Sequence, residues 1–252
     1  MVTLAGIFPP TQPPEQIGAV AAAAESAGLG QLWIWEDCFM ESGIATATAM
    51  LATTSRITVG IGLLPVPLRN VALTAMEIAT LSRLFPGRLT PGVGHGVLSW
   101  MGQVGARAES PMTLLRGETV TTHGRYVHLD DVTLAWSPAV VPPLLVGGIK
   151  PRTVALAGEV ADGVIIPGGV SPAEVRTSVG HLHGQRSAGR DPADVVVFIS
   201  APADGPAAAI AATVIEYAAA GATHVAVNAA EDDADVERFA GFLAREVGPL
   251  VR

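Results

Sequence analysis

One cysteine, Cys38, stands alone in 252 residues. It excludes an internal disulfide framework and fits a reducing compartment. Cations are scarce as well: 15 Lys and Arg against 23 Asp and Glu give a net charge of −8 and a pI near 5.2. Backbone phosphates are bound by clustered Lys and Arg, so this balance excludes nucleic acid as the main partner. No apolar run approaches the ~20 residues that cross a bilayer. Residues 1–20 lack the basic start and apolar stretch of a secretory leader. His123, His128, His181, His183 and His224 show no metal-ligand spacing with carboxylates or cysteine, and His181 and His183, two apart, do not share a helical face. Solenoid repeats and low-complexity linkers are missing too. These absences predict a soluble, cytoplasmic protein without a metal, acting on a small molecule.

What is present is apolar material in a regular order. Hydrophobic residues make up 49% of the chain. A short apolar strand, a Gly- or Pro-marked loop and an amphipathic helix recur eight times, which predicts one (β/α)8 TIM barrel of parallel strands over residues 1–252. The predicted strands are Thr3–Phe8, Gln31–Trp35, Ile57–Leu63, Arg88–Val93, Leu144–Val146, Gly163–Ile166, Val195–Ile199 and His224–Val227. Helices are expected over Glu15–Ala27, with Gly28 as C-cap, and over Ile44–Thr53. Others should run from an Asn70 N-cap to Pro86, from Pro151, from Ser171-Pro172, over Pro206–Ala220, and through Val236. Residues 97–142 are the least regular, with one helical signal at Pro111–Arg116 and an extended excursion over Tyr126–Leu134.

A barrel of this type carries its chemistry at the C-terminal ends of its strands. There stand Glu36 and Asp37, as acid, base or substrate anchor, or else as a solvated pair capping the helix near Ser42. Gly94, His95 and Gly96 follow the fourth strand, where glycine lets a flat ligand approach the backbone and His95 offers a hydrogen bond. Gly147, Gly148, Lys150 and Arg152 open a helix whose N-terminal amides attract an anion. The two cations oppose the helix dipole unless something negative lies there. Gly168, Gly169 and the Ser171 helix start form a second wall. Trp100 is the tryptophan placed near substrate.

Five segments carry a family resemblance: AAAAESAGLGQLWIWED, SRITVGIGLLPVPLRN, ALTAMEIATLSRLFPGRLTPGVGHG, RGETVTTHGRYVHL and VPPLLVGGIKPRTVALAGEVADGVI. In this order, over nearly the whole chain, they resemble the luciferase-like monooxygenase family, in its branch using coenzyme F420 or FMN. The resemblance implies a flavin or deazaflavin at the barrel mouth and hydride transfer, or oxygen activation with FMN. It also implies a bulge at Gly62, Leu63 and Leu64, often with a non-proline cis peptide, pressing on the back of the ring. The phosphate would lie near Gly148, Lys150 and Arg152, with Arg176 and Arg186 as further cations for a longer acidic tail. Family members commonly pair through early helices, so the small-residue helix Ile44–Thr53 implies a homodimer.

Two departures stand out. Many deazaflavin-using members carry Asp-His after strand two, where this chain reads Glu36-Asp37-Cys38. The long helix that precedes RGETVTTHGRYV in the family is shortened here, around helix four. The leading reading is an oxidoreductase using F420 or FMN to move a hydride to or from a small organic substrate. The alternative is a non-catalytic flavin-binding or subunit-type relative. An unrelated aldolase or isomerase barrel would want lysine or paired acids late in the chain, where Ser200-Ala201 and Asn228 stand instead.

Overall fold

A computed structural model of the chain describes residues 2–37, 40–97, 118–123, 128–133, 138–187, 189–231 and 234–251. Eight parallel strands close into a barrel: β1 (Thr3–Ile7), β2 (Gln31–Ile34), β3 (Thr58–Pro65), β4 (Leu89–Gly94), β7 (Leu145–Gly147), β8 (Gly163–Ile166), β9 (Asp194–Ala201) and β10 (His224–Ala229). Between β4 and β7 the chain makes an antiparallel pair, β5 (Val120–His123) with β6 (His128–Val132), which stays out of the barrel. The expected helix at Pro111–Arg116 lies outside the described residues. Helices α1 (Ile17–Ala27), α2 (Gly43–Thr53), α3 (Val71–Leu84), α4 (Pro151–Val160), α5 (Pro172–Gly184), α6 (Ala207–Ala219) and α7 (Val236–Phe242) connect the strands.

The helix ends follow their local chemistry. Asn70 caps α3 by accepting the Ala72 amide, and Ser171 and Glu174 close α5 with a reciprocal capping box. Gly28 ends α1 at φ 90°, a left-handed conformation that glycine adopts without a Cβ clash. The first expected helix is split, its Pro14–Gln16 turn being 3-10 before α1 begins. Glu25 near the end of α1 reaches the turn before β3. Its carboxylate accepts the amides of Ile57 at 2.8 Å and Arg56 at 2.6 Å, and the amide and the hydroxyl of Ser55 also donate to it. Led by Ile57 and Arg56, these donors hold the Glu25 pKa down to about 2.

Two apolar layers follow from the period-2 alternation of strand side chains. Outward residues such as Leu32, Val59, Val164 and Val197 pack under the helices with Val20, Ile78, Val154 and Val214. Inward residues Ala5, Ile7, Trp33, Leu145, Ile165, Val196, Phe198 and Ala226 fill the barrel. Trp33 and Phe198 meet edge to face, centroids 5.6 Å apart. The space they need is left by glycine: a Cβ on Gly60 would fall 2.3 Å from the Trp33 ring. Large rings on β2 and β9 thus face backbone on β3.

Strand β3 runs two residues past its predicted end, to Pro65. After Ile61 its register against β4 shifts, so Leu64 pairs with Val93 and Pro65 with Gly94. The Gly62–Leu63 peptide bond in that step is cis. The bulge therefore lies where the family resemblance implied it.

Candidate functional site

The barrel opens at the C-terminal ends of its strands into a cavity of about 460 Å³, within the range of small-molecule sites. Its wall falls into two arcs in strand order. On β3, β4, β7 and β8 it is largely backbone and small residues: Gly62, Leu63, His95, Gly96, Gly147, Gly148, Pro167 and Gly168. On β2, β1, β10 and β9 it is made of side chains: Asp37, Trp35, Ile7, Asn228, Ser200 and Phe198. Each follows an interior residue by two positions, as Trp35 follows Trp33, Ser200 follows Phe198 and Asn228 follows Ala226.

Leu63 is the floor of the backbone arc. Its side chain lies across Gly94 and Gly147, where a Cβ would stand 2.5 and 2.1 Å from Leu63 Cδ2. Gly94 therefore backs the floor without lining the cavity. Leu64, also expected here, is fully buried in the layer under the helices.

Asp37 and Glu36 share the cavity wall but not the same surroundings. Trp35 Nε1 donates to Asp37 Oδ2 at 2.9 Å. Burial pushes the Asp37 pKa up, and the indole hydrogen bond draws it partly back. Glu36 is 6% exposed, so the solvated-cap reading does not describe it. Its carboxylate does take the first amide of α2, Gly43 N–H, at 2.7 Å. Arg69 grips the same carboxylate through Nε at 3.2 Å and Nη2 at 2.5 Å, and holds Glu77 through Nη1 at 3.1 Å. The Glu36 amide donates to the Leu63 carbonyl at 3.2 Å. Glu36 thus links β2, the α2 start and the Leu63 step, with its lone pairs already engaged. Burial works against the Arg69 charge, but Glu36 and Glu77 outweigh it and raise its pKa; burial likewise raises that of Glu77.

His95 is exposed at the lip, its Nδ1 2.7 Å from the Gly96 carbonyl. A proton on Nδ1 leaves Nε2 as an acceptor. Trp100 lies outside the described residues.

At the start of α4 no side chain caps the first-turn amides. Lys150 and Arg152 are exposed beside them, beyond the cavity lining. The Gly148 amide is committed to the Ile165 carbonyl at 3.0 Å. At α5 the geometry is closed: Ser171 accepts the Glu174 amide, and the Glu174 carboxylate occupies the first turn. Anion-binding capacity is therefore concentrated at α4, while Gly168 remains as cavity wall and Gly169, exposed at φ 84°, turns the chain away. Arg186 binds the Ala161 carbonyl beyond the C-terminus of α4, at the opposite rim, and is removed from the mouth.

Trp35, which the sequence suggests as core or pocket lining, does line the cavity. Residue-by-residue reading missed Phe198, Ser200 and Asn228 as cavity wall, and counting forward by two from the interior residues of each strand finds all three. Arg69 as the partner of Glu36 has no comparable signal, because 33 residues separate them.

The chain thus forms a closed (β/α)8 barrel with a bulged third strand and a mouth walled half by backbone. The chain belongs to the luciferase-like monooxygenase family, which it matches over residues 2–246. It is 31% identical over 202 residues to a 5,10-methylenetetrahydromethanopterin reductase of Methanolobus tindarius, covering 75% of this chain and 61% of that protein. It is 31% identical over 185 residues to an F420-dependent glucose-6-phosphate dehydrogenase of Nakamurella multipartita, covering 63% of this chain and 54% of that protein. The match thus spans a little over half the length of these relatives. Among solved structures, the coenzyme F420 dependent tetrahydromethanopterin reductase of Methanopyrus kandleri has the same fold, with a TM-score of 0.82 at 19% identity over 100% of this chain and 99% of that one.

Proposed function

We propose that this chain is an oxidoreductase that binds coenzyme F420 in the barrel mouth, with FMN as the alternative cofactor. The observation that carries this reading is the pairing of a backbone-walled cavity, floored by Leu63, with an uncapped helix start bearing Lys150 and Arg152. The cavity accepts a planar ring on Leu63, and the α4 amides with the two cations suit its phosphate. Arg176, exposed on the first turns of α5, is the further cation for an acidic tail. The F420-dependent names among its relatives point the same way.

Bound F420 supplies the hydride acceptor or donor, and the remaining work falls to the chain. Leu63 supports the ring from below. Trp35, Phe198 and Ile7 hold the substrate against it and exclude water. Asp37 takes the hydroxyl proton when an alcohol loses its hydride, or returns one to the oxygen in reverse. Burial raises the pKa of that carboxyl, which favours its holding a proton. Glu36, held by Arg69 and Gly43, positions the loop that presents Asp37. His95 Nε2 offers a second hydrogen bond at the lip.

A second reading, a cofactor binder without turnover, is favoured by Asp37 standing where the family resemblance implies a histidine, and by the shortened segment around helix four. We also place the protein in the cytoplasm as a single-domain homodimer pairing through α2. Its lone cysteine and the small exposed residues Ala45, Ala49 and Ala52 on that helix support this. No helix among the described residues is long and apolar enough to cross a membrane, and the acidic balance suits a small-molecule partner.

The test is a parallel fluorescence titration with F420 and FMN, followed by Asp37→Asn. Tight binding of F420 with turnover lost in the variant supports the enzyme. Binding of neither cofactor refutes the reading, and binding without turnover with any alcohol or carbonyl compound leaves the binder.

A further inference from the structure

The two arcs of the mouth differ in chemistry as well as position. A ring resting on Leu63, with its phosphate toward α4, occupies the β3, β4, β7 and β8 side. That leaves the adjoining side-chain arc for the substrate. This arc begins at Asp37 on β2, passes the apolar Ile7 and Phe198, and ends at Asn228 and Ser200.

Asn228 and Ser200 are register partners on neighbouring strands, so they form one polar pair rather than two scattered groups. Phe198 and Ile199 beside them are apolar and buried. Neither polar side chain has a hydrogen-bond partner among the described residues. An amide offers two donors and an acceptor, and a hydroxyl one donor and two acceptors. Neither carries charge. The charged groups lining the cavity among the described residues are the carboxylates Asp37 and Glu36, to which His95 adds a titratable ring.

We propose that Asn228 and Ser200 form a neutral hydrogen-bonding station that selects the substrate: an uncharged alcohol or carbonyl compound with an apolar body and a second neutral oxygen group. The reacting oxygen lies at the Asp37 end, the body over Ile7 and Phe198, and the second oxygen at Asn228 and Ser200. A phosphorylated or carboxylated substrate would meet the Asp37 and Glu36 carboxylates at one end and an uncharged pair at the other. This inference deepens the enzyme reading and rests on it for the placement of the ring, but the station itself is testable without any cofactor.

The probes are trans-1,4-cyclohexanediol, cyclohexanol and cyclohexyl phosphate, titrated against the cofactor-free protein by saturation-transfer NMR and by tryptophan emission. The expected order is diol, then cyclohexanol, then the phosphate ester. The diol should bind about tenfold tighter than cyclohexanol, the scale of one well-made buried hydrogen bond. Asn228→Leu should abolish that gap while leaving cyclohexanol binding within about twofold, and Ser200→Ala should narrow it. A fold defect would weaken all probes together, which separates it from loss of the station. A phosphate ester that displaces the diol and binds tighter than it, no gap in the wild type, or a gap that survives Asn228→Leu would each overturn the proposal. Failure of F420 and FMN to bind would instead strike the cofactor reading, and the two results are read in separate titrations.

Discussion

Replacing Gly147 by alanine tests the floor of the mouth with a single methyl group. The added Cβ would lie 2.1 Å from Leu63 Cδ2, far inside the ~3.5–4.0 Å at which carbons rest against each other. Retreat toward β4 is limited by the Gly94 backbone, against which the same atom already lies. Two responses remain. Leu63 stays and overpacks the joint, at a cost of about 1–3 kcal/mol, or it swings up into the cavity that the ring would occupy. For a chain of this size the first response lowers Tm by roughly 2–12 °C, taking 2–4 °C per kcal/mol. The second weakens F420 binding by about tenfold or more, because the ring must push the isobutyl group aside. Differential scanning fluorimetry reads one effect and fluorescence titration the other. A Gly147→Ala protein that melts within about 1 °C of wild type and binds cofactor equally well would show that Leu63 is not the floor.

Arg69→Ala should destabilise by about 3–5 kcal/mol, read by urea unfolding, because it leaves the buried Glu36 carboxylate without its partner. The Glu36→Gln/Arg69→Ala double variant should recover part of that loss, since the unpaired charge that remains is on the more exposed Glu77 and not on the buried residue 36. Glu25 has a folded pKa of about 2 against 4.5 in the open chain, so it stabilises the fold above pH 4.5 and loses this contribution as pH falls toward 2. The Tm difference between wild type and Glu25→Gln should therefore be greatest near neutrality and vanish in acid; a difference that grows on acidification would contradict it. Gly180→Ala, in the interior of α5 with nothing near its added methyl, should stabilise by about 0.5–1 kcal/mol, and a lower Tm would refute it.

The barrel was legible because each strand announces itself within three to eight residues and several helices carry their own cap. Ser42, Asn70 and Ser171 all cap where the local pattern places them. Less legible was anything settled by register. β3 continues to Pro65 because its bulge restores pairing with β4, and that pairing joins residues 29 apart. The strand Val120–His123 escaped notice since its four residues form a strand only against the returning β6. The proposal of an anion at α4 comes from Lys150-Pro151-Arg152, because cations against a helix dipole are a local conflict. The commitment of the Gly148 amide to Ile165 was not legible, and neither was the enclosure of Glu36 by Arg69. Both depend on which strands become neighbours. Distant partners decide which of two adjacent carboxylates is held in an ion pair.

The joint between β4 and β7 is held by just two register pairs, Gly92 with Leu145 and Val93 with Val146. Leu63 lies across that joint from the inside. A guest pressing down on this residue also presses the cylinder shut at a thin place in its wall. Saturation and structural integrity then become one equilibrium: at a hundredfold excess over its Kd, a guest binding only the folded chain adds about 2.7 kcal/mol of stability. The empty protein should open first along this line, and hydrogen exchange at Val93 and Val146 should slow once the mouth is filled.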